Sequence, residues 1–261
     1  MHALLLTRYL KSEADFDEWV IHHLSVGFSH VHVFDNGTAF DLEAAAGKYG
    51  GAVSYERITG PTCQYSLYGD YIARCDAEYV MPIDDDEYLS LGPFGSVDEL
   101  MDRFGRPDCF AFRWKYLFPA DFSVERTGPV LEYCTESNPR AARFFCGCGD
   151  NLVKCIVKPS EFVRYMDAKE SMVRNHIPVT KSDIGAMLYD GTRTRSQSVR
   201  AGGDEPVRLL HCPFKGMSEF LSTRGAPRPS VSRLEPCTRK GRDVFIQWLS
   251  KQCANANNDI V

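Results

Sequence analysis

Four consecutive carboxylates, Asp84, Asp85, Asp86 and Glu87, interrupt an apolar stretch that runs from Tyr79 to Ile83 and resumes at Tyr88 and Leu89. Like charges gathered at one point oppose stability, so the run points to something that neutralises them. On a strand leaving a sheet, side-chain alternation puts Asp84 and Asp86 on one side and Asp85 on the other. An Asp-x-Asp pair of this kind offers hard oxygen ligands to Mg²⁺ or Mn²⁺. Those ions take one or two carboxylates and complete their shell with substrate phosphates, so a diphosphate that the acidic loop would otherwise repel becomes a ligand. The alternative for the same residues is a solvated acidic turn.

The elements that must position this run can be read from periodicity. Leu4 to Leu6 reads as a first core strand. Ser12, with an acidic residue three positions on, opens a helix that carries Phe16, Trp19, Val20, His23 and Leu24 at helical spacing and stops at Gly27. His30 to Phe34 reads as a strand ending in the turn sequence Asp35-Asn36-Gly37. A helix over Asp41 to Tyr49, a strand over Val53 to Ile58 and a helix over Thr62 to Cys75 follow, and then the acidic strand. This βαβαβαβ order predicts an α/β fold: a mostly parallel, twisted sheet with helices on both faces. Its carboxyl edge brings together Thr7 to Glu13, the turn at Asp35 and the run at Asp84, where an open α/β sheet holds a nucleotide.

Further along, Ser96 caps another helix, and Cys109 to Trp114 and Leu152 to Val157 read as strands. The stretch from Phe118 to Gly149 is rich in Gly, Pro and Cys with little periodicity, which marks a functional or mobile loop. Asp183 to Pro206 is polar and is the candidate flexible lid. Arg242 to Cys253 reads as an amphipathic helix with Val244, Phe245, Trp248 and Leu249 on one face.

Composition narrows the function class. The chain has 261 residues, 44% of them apolar, which is enough for one large domain with a real core. A formal charge of −5 speaks against a dedicated nucleic-acid binder, which would present a basic field to phosphates. No membrane span is expected, because the apolar run at Met1 to Leu6 is too short for one or for a signal peptide. The ten cysteines lack paired Cys-x-x-Cys knuckles and read as reduced thiols in core and loops.

Taken in order, several islands of sequence resemble one known group. Lys11 to Asp15 runs into Glu18-Trp19-Val20 and His23. Val33 to Gly37 and Ile83 to Leu89 come next, then Phe110 to Trp114, Lys154 to Pro159, Asn175-His176, and Leu209-Leu210-His211 through Phe214 to Phe220 with Arg224-Gly225. The series is similar to the metal-dependent glycosyltransferases of GT-A fold, in the neighbourhood of families 2 and 92, and spans residues 3 to about 225.

The resemblance implies transfer of a sugar from a nucleotide-diphosphate donor, UDP- or GDP-linked, to a hydroxyl of a glycan acceptor, usually with inversion and with Mn²⁺ or Mg²⁺ as cofactor. A catalytic domain over 1–225 is implied, with a nucleotide-binding half at 1–90 and an acceptor and metal half at 91–225, followed by an extension over 226–261. Asp86 or its bound water would meet the metal, Asp84 the metal or the donor ribose or sugar, and His211 would complete the metal shell. Asp35 would accept hydrogen bonds from base or ribose, with Arg8, Lys11 and Arg57 at base or phosphate. Glu13 has a capping and a binding reading in equal measure. Lys215 and Arg224 would hold the diphosphate.

Inversion needs a general base, for which Asp150 is the first choice, with Glu125 and Glu132 as competitors. His176 is divided between site and core, Arg74 between surface and phosphate. Trp114, Tyr116 and Phe118 form either a sugar platform or core. Since family 92 members commonly carry membrane anchors and this chain starts at its first strand, a cytoplasmic enzyme of bacterial or viral type, or an excised catalytic domain, is expected. The competing classes are a nucleotidyltransferase and a degenerate transferase fold that only binds. A nucleotidyltransferase would want a Gly-rich phosphate loop, and Thr7 to Lys11 contains no glycine.

Overall fold

The computed structural model describes residues 1–7, 10, 12–59, 64–138, 141–142, 152–165, 177–196, 198–199 and 205–223. Arg8, Lys11, Asp150, His176, Arg224, the extension over 226–261 and its expected helix lie outside the described residues. The chain divides into two compact units, 1–114 with 151–210, and 115–150 with 211–261.

The first unit begins with the expected alternation. Strand β1 (His2–Thr7) leads to helix α1 (Glu13–Ser25), strand β2 (His30–Asp35), helix α2 (Leu42–Gly47), strand β3 (Val53–Arg57), helix α3 (Gln64–Arg74) and strand β4 (Val80–Pro82). Local chemistry sets these boundaries. Ser12 caps α1 by accepting from the Asp15 N–H at 3.1 Å, and Asp41 does the same for α2 through Ala44. Gly27, at φ 105°, turns the chain after α1, where a side chain at that φ would be strained and would crowd Ser96. The apolar stripe of α1 buries Phe16, Trp19 and Val20 completely, and full burial of such a side chain contributes about 1.5–3 kcal/mol.

β5 (Glu87–Ser90), α4 (Val97–Arg103), β6 (Cys109–Tyr116), β7 (Val153–Val157), β8 (Phe162–Tyr165), β9 (Pro178–Thr180), β10 (Ala186–Met187), β11 (Arg193–Thr194) and β12 (Arg208–His211) follow. Among the described residues, ten strands form one sheet, ordered β11-β10-β6-β7-β4-β1-β2-β3, with β5 and β12 paired off that path. The class is α/β, as the alternation predicts. Parallel pairing runs through β4-β1-β2-β3 and joins β10 to β6, whereas β7 lies antiparallel to both β4 and β6. β8 and β9 form a separate antiparallel ribbon.

The expected lid is anchored over its described part. β10 and β11 form a hairpin, Ala186 and Leu188 are buried, and Asp190 and Glu205 both pair with the buried guanidinium of Arg113. These are the apolar and charged anchors that the polar composition of Asp183 to Pro206 conceals.

In the second unit, an aromatic core collects Phe118, Phe122, Phe214 and Phe220. Helix α5 (Val130–Tyr133) adds buried Val130, and Cys134 donates its thiol to the Phe214 carbonyl. Helix α6 spans Met217–Thr223. So the stretch after Phe118 is anchored at Phe122, Val130 and Cys134, while most of its other described residues are exposed. Among the described residues, Cys75, Cys109, Cys134, Cys155 and Cys212 form no disulfide. No helix among the described residues is long and apolar enough to cross a membrane.

Candidate functional site

The parallel ladder sets one edge. Thr7 pairs with Asp35 and Asp35 with Arg57, while Leu4 pairs with Pro82, so β1, β2, β3 and β4 all end on the same side of the sheet. The acidic run therefore lies where the alternation places it, but it is not a strand. β4 stops at Pro82, β5 starts at Glu87, and the residues between form a turn closed by the Glu87 N–H on the Asp84 carbonyl at 3.1 Å. Strand alternation does not govern a turn. Asp84 and Asp85 are half-buried, whereas Asp86 and Glu87 are buried.

The side chain that organises this turn comes from β7. Lys154 is 1% exposed and its Nζ lies 2.6 Å from Asp84 Oδ2 and 2.6 Å from Glu87 Oε2. Burial works against the ammonium charge, but Asp84 and Glu87 outweigh it and hold the proton more tightly than on an ordinary lysine. Glu87 Oε2 also accepts the Asp84 N–H at 2.8 Å. Gln64, the first residue of α3, donates to Asp84 Oδ1 at 3.0 Å and to Tyr68 Oη at 3.0 Å. From α1, the indole N–H of Trp19 donates to the carbonyls of Asp84 and Glu87 at 2.9 and 3.0 Å. The turn is thus held from α1, α3 and β7, and the signal for Lys154 was a lysine inside an otherwise apolar strand, which forces a buried partner. Gln64 and Trp19 gave no such signal, because Gln64 opens a helix and Trp19 sits in an apolar stripe.

The other expected residues fall as follows. Asp35 accepts the Thr38 N–H at 3.1 Å and lies 3.6 Å from the Nε of Arg57, whose side chain is exposed. Glu13 binds Lys48 at 2.6 Å on the surface of α1, with Asp17 as the second partner of the same lysine. Arg74 pairs with Glu56 at 3.2 Å on the surface.

In the second unit, His211 is buried and stacks on Tyr116 with ring centroids 4.6 Å apart and 27° between planes. Lys215 is buried, and its carbonyl accepts Arg126 Nε at 2.9 Å. Glu125 accepts both the N–H and the hydroxyl of Ser218, at 2.9 and 2.8 Å, and so caps α6. Glu132 is exposed on α5. Trp114, Tyr116 and Phe118 are all buried, which is their core reading.

Among the described residues, no group of three or more His, Cys, Asp or Glu side chains is placed to hold a metal ion. The donors of the acidic turn are hard oxygens, the type Mg²⁺ and Mn²⁺ take, and such ions bind through one or two carboxylates when phosphates supply the rest. In that sense the turn fits a metal that arrives with a diphosphate, and does not form a protein cage for a metal alone.

No family model matches the chain, and no curated protein matches it. Several solved structures are similar. TarS 1–349 of S. aureus in complex with UDP-GlcNAc is 12% identical over 88% of this chain and 62% of that one, with a TM-score of 0.43. PcManGT, a mannosyltransferase from Pyrobaculum calidifontis in complex with GDP-Man and Mn²⁺, is 12% identical over 60% of this chain and 44% of its own, at 0.35. The 4-diphosphocytidyl-2C-methyl-D-erythritol synthase of Anaerococcus prevotii is 12% identical over 61% and 70%, at 0.31. The chain spans 60% of TarS 1–349 in another of its structures and 36% of the longer TarS chain. Likeness at these scores carries no argument about the reaction, which is left to the residues of the site.

Proposed function

We propose that this protein transfers a sugar from a nucleotide-diphosphate donor, UDP- or GDP-linked, to a hydroxyl of a glycan acceptor, with inversion and with Mn²⁺ or Mg²⁺ as cofactor. The reading takes the fold as GT-A and the chain as akin to families 2 and 92. The observation that carries it is the turn Asp84 to Glu87, set at the carboxyl edge of four parallel strands and locked from beneath by buried Lys154.

A divalent ion bound there would offset the charge that develops on the departing nucleoside diphosphate. Asp86 would hold it, with Asp84 at the metal or a donor hydroxyl. His211 as a further ligand, Lys215 and Arg224 at the diphosphate, Arg8, Lys11, Glu13, Asp35 and Arg57 around the nucleotide, and Asp150 as general base all belong to the proposal. Glu125 is a weaker candidate for the base than sequence alone makes it, since it accepts two hydrogen bonds from Ser218 at the start of α6. Cytoplasmic residence belongs to the proposal too.

The test is a thermal-shift panel of UDP- and GDP-sugars with and without Mn²⁺, followed by donor hydrolysis. A ligand bound by the native state stabilises by RT ln(1 + [L]/Kd), so a donor at a hundred times its Kd adds about 2.7 kcal/mol. Stabilisation that requires both donor and Mn²⁺, and that Asp86→Asn abolishes without unfolding the protein, is the expected result. Equal shifts in chelator and in Mn²⁺ would remove the metal from the proposal. Pyrophosphate release from a nucleoside triphosphate would replace sugar transfer with nucleotidyl transfer, and binding without turnover would leave a binding module.

A further inference from the structure

Three histidines gather at the amino ends of β1 and β2. His30 and His32 are two residues apart in β2 and so share a face of the sheet, with His2 of β1 paired to His30 and Ser54 of β3 paired to His32. The Tyr71 ring of α3 stacks on His32 with centroids 4.6 Å apart. The Ser54 hydroxyl lies 2.7 Å from His30 Nε2 and 2.8 Å from His32 Nδ1, so a single hydroxyl hydrogen serves two imidazoles.

That geometry fixes where the hydrogens lie. The Gly51 carbonyl can only accept, so His30 donates to it from Nδ1 at 3.1 Å. A neutral His30 then has a bare Nε2, to which Ser54 donates its hydrogen. Ser54 Oγ is left to accept from His32, which puts the His32 hydrogen on Nδ1 and leaves its Nε2 bare. That nitrogen is buried without a hydrogen-bond partner, 3.9 Å from Glu56 Oε2. A lone pair turned toward a carboxylate is an arrangement that proton uptake repairs. One added proton has two resting places. It stays on His32 Nε2, or the His32 Nδ1 hydrogen passes to Ser54 as the Ser54 hydrogen passes to His30, which then carries the charge. In both states His32 Nε2 bears a hydrogen that faces Glu56.

We infer that His30, Ser54 and His32 form a one-proton switch, in which uptake of a single proton by the pair puts a hydrogen on His32 Nε2 and adds β2 to the hold on Glu56. Arg74 of α3 already grips that carboxylate at 3.2 Å, so the proton ties β2, β3 and α3 together at one point. A second proton is disfavoured, because both imidazolium N–H groups would then point at the same oxygen. The charged and titratable groups around the pair are the Met1 amine and His2 from the β1 side, Glu56 from β3, and Tyr71, Arg74, Cys75 and Asp76 from α3 and the residues after it. His2 is itself engaged, with Nδ1 2.9 Å from Tyr71 Oη and 3.4 Å from Cys75 Sγ. Burial, with His30, Arg74 and His2 adding, lowers the His32 pKa to about 4, so the bare nitrogen is the resting state at neutral pH. The switch does not depend on sugar transfer.

The experiment is NMR of the full chain with ¹⁵N-labelled imidazoles, which reads the protonation of each ring nitrogen, titrated from above the ~6.5 of a free imidazole down to about 4. At the upper end His30 and His32 should both carry hydrogen on Nδ1 alone. On acidification the two rings should share one midpoint and take up one proton between them, as His32 Nε2 gains its hydrogen. In Ser54→Ala, with no oxygen to hold the Nδ1 hydrogen, His32 should carry hydrogen on Nε2 at every pH, and the two midpoints should separate by about one unit or more, the scale on which interacting sites couple. Ser54→Thr, which keeps the hydroxyl, should behave as wild type. Glu56→Gln should lower the shared midpoint by about half a unit, because it removes a partly screened carboxylate that favours the charged form. His32 Nε2 already protonated in wild type at the upper end, no uptake by either ring down to about 4, or two separate wild-type midpoints overturns the switch without any variant. So does a Ser54→Ala spectrum that matches wild type, or a midpoint that Glu56→Gln leaves unmoved.

Discussion

The two ends of the β1–β2 ladder hold opposite chemistry. At the end where Thr7 pairs with Asp35, the neighbouring turn gathers carboxylates around Lys154; at the other, His2 pairs with His30. His2 accepts from or donates to Tyr71 Oη at 2.9 Å, and His30 and His32 share the Ser54 hydroxyl at 2.7 and 2.8 Å. Burial depresses the pKa of His2 to about 4, with His30 adding to it, and that of His32 to about 4, with His30 and Arg74 adding. Burial acts on Lys154 in the same direction, yet Lys154 keeps its proton more firmly than usual. The difference lies in partners: carboxylates at 2.6 Å reverse the effect of desolvation, whereas neutral hydroxyls and other imidazoles do not. One end stores paired charge, and at the other burial keeps His2 and His32 neutral.

The largest effect expected from breaking this contrast is Lys154→Met alone, which strands two carboxylates, one of them with no exposed surface. Urea denaturation should show a loss of about 3–5 kcal/mol, the cost of removing one member of a buried pair. A loss under about 1 kcal/mol would mean that water reaches the turn and that the pair resembles a surface one.

Trp19→Phe keeps most of the packing but deprives the carbonyls of Asp84 and Glu87 of their shared donor. A cost of about 1–3 kcal/mol is expected by the same measurement, and restoration by a second indole-like N–H at that site would show that the hydrogen bonds, rather than volume, matter.

The histidine end responds to pH. Both pKa values of about 4 lie below the ~6.5 of an unfolded chain, so between those values the folded state binds fewer protons than the unfolded one. Stability from these groups is complete above ~6.5, falls as the pH drops toward 4, and levels off below it. The urea midpoint should trace that decline, with a slope of no more than ~1 kcal/mol per pH unit once solvent screening is allowed for. In a His2→Gln, His32→Gln variant the slope should flatten. If it does not, the decline belongs to other groups, among them His22 and His23, whose pKa values burial also lowers.

Lys48→Ala is the smallest expected change. It breaks the two contacts to Glu13 and Asp17, but at the surface, and the denaturation midpoint should not move. A clear shift would blur the distinction between the buried lysine and the exposed one.

Much of this architecture could be read from local pattern. The caps at Ser12, Asp41 and Ser96, the helical stripe of Phe16, Trp19 and Val20, and the order of the first four strands all follow from short-range preferences, and they place the acidic run at the carboxyl edge without reference to any distant residue. Those preferences act within a few residues, so the sequence by itself determined the α/β class, the edge and the chemistry gathered on it.

The arrangement of that chemistry is a long-range matter. Whether Asp84 to Glu87 continue a strand or turn depended on Trp19 and Gln64 reaching in from α1 and α3. Which carboxylates are paired depended on Lys154, sixty-seven residues beyond Glu87 along the chain. The anchoring of the segment around Asp190 likewise depended on Arg113 lying buried in β6. Tertiary structure decided these points because burial creates the demand for a partner, and only folding brings that partner near.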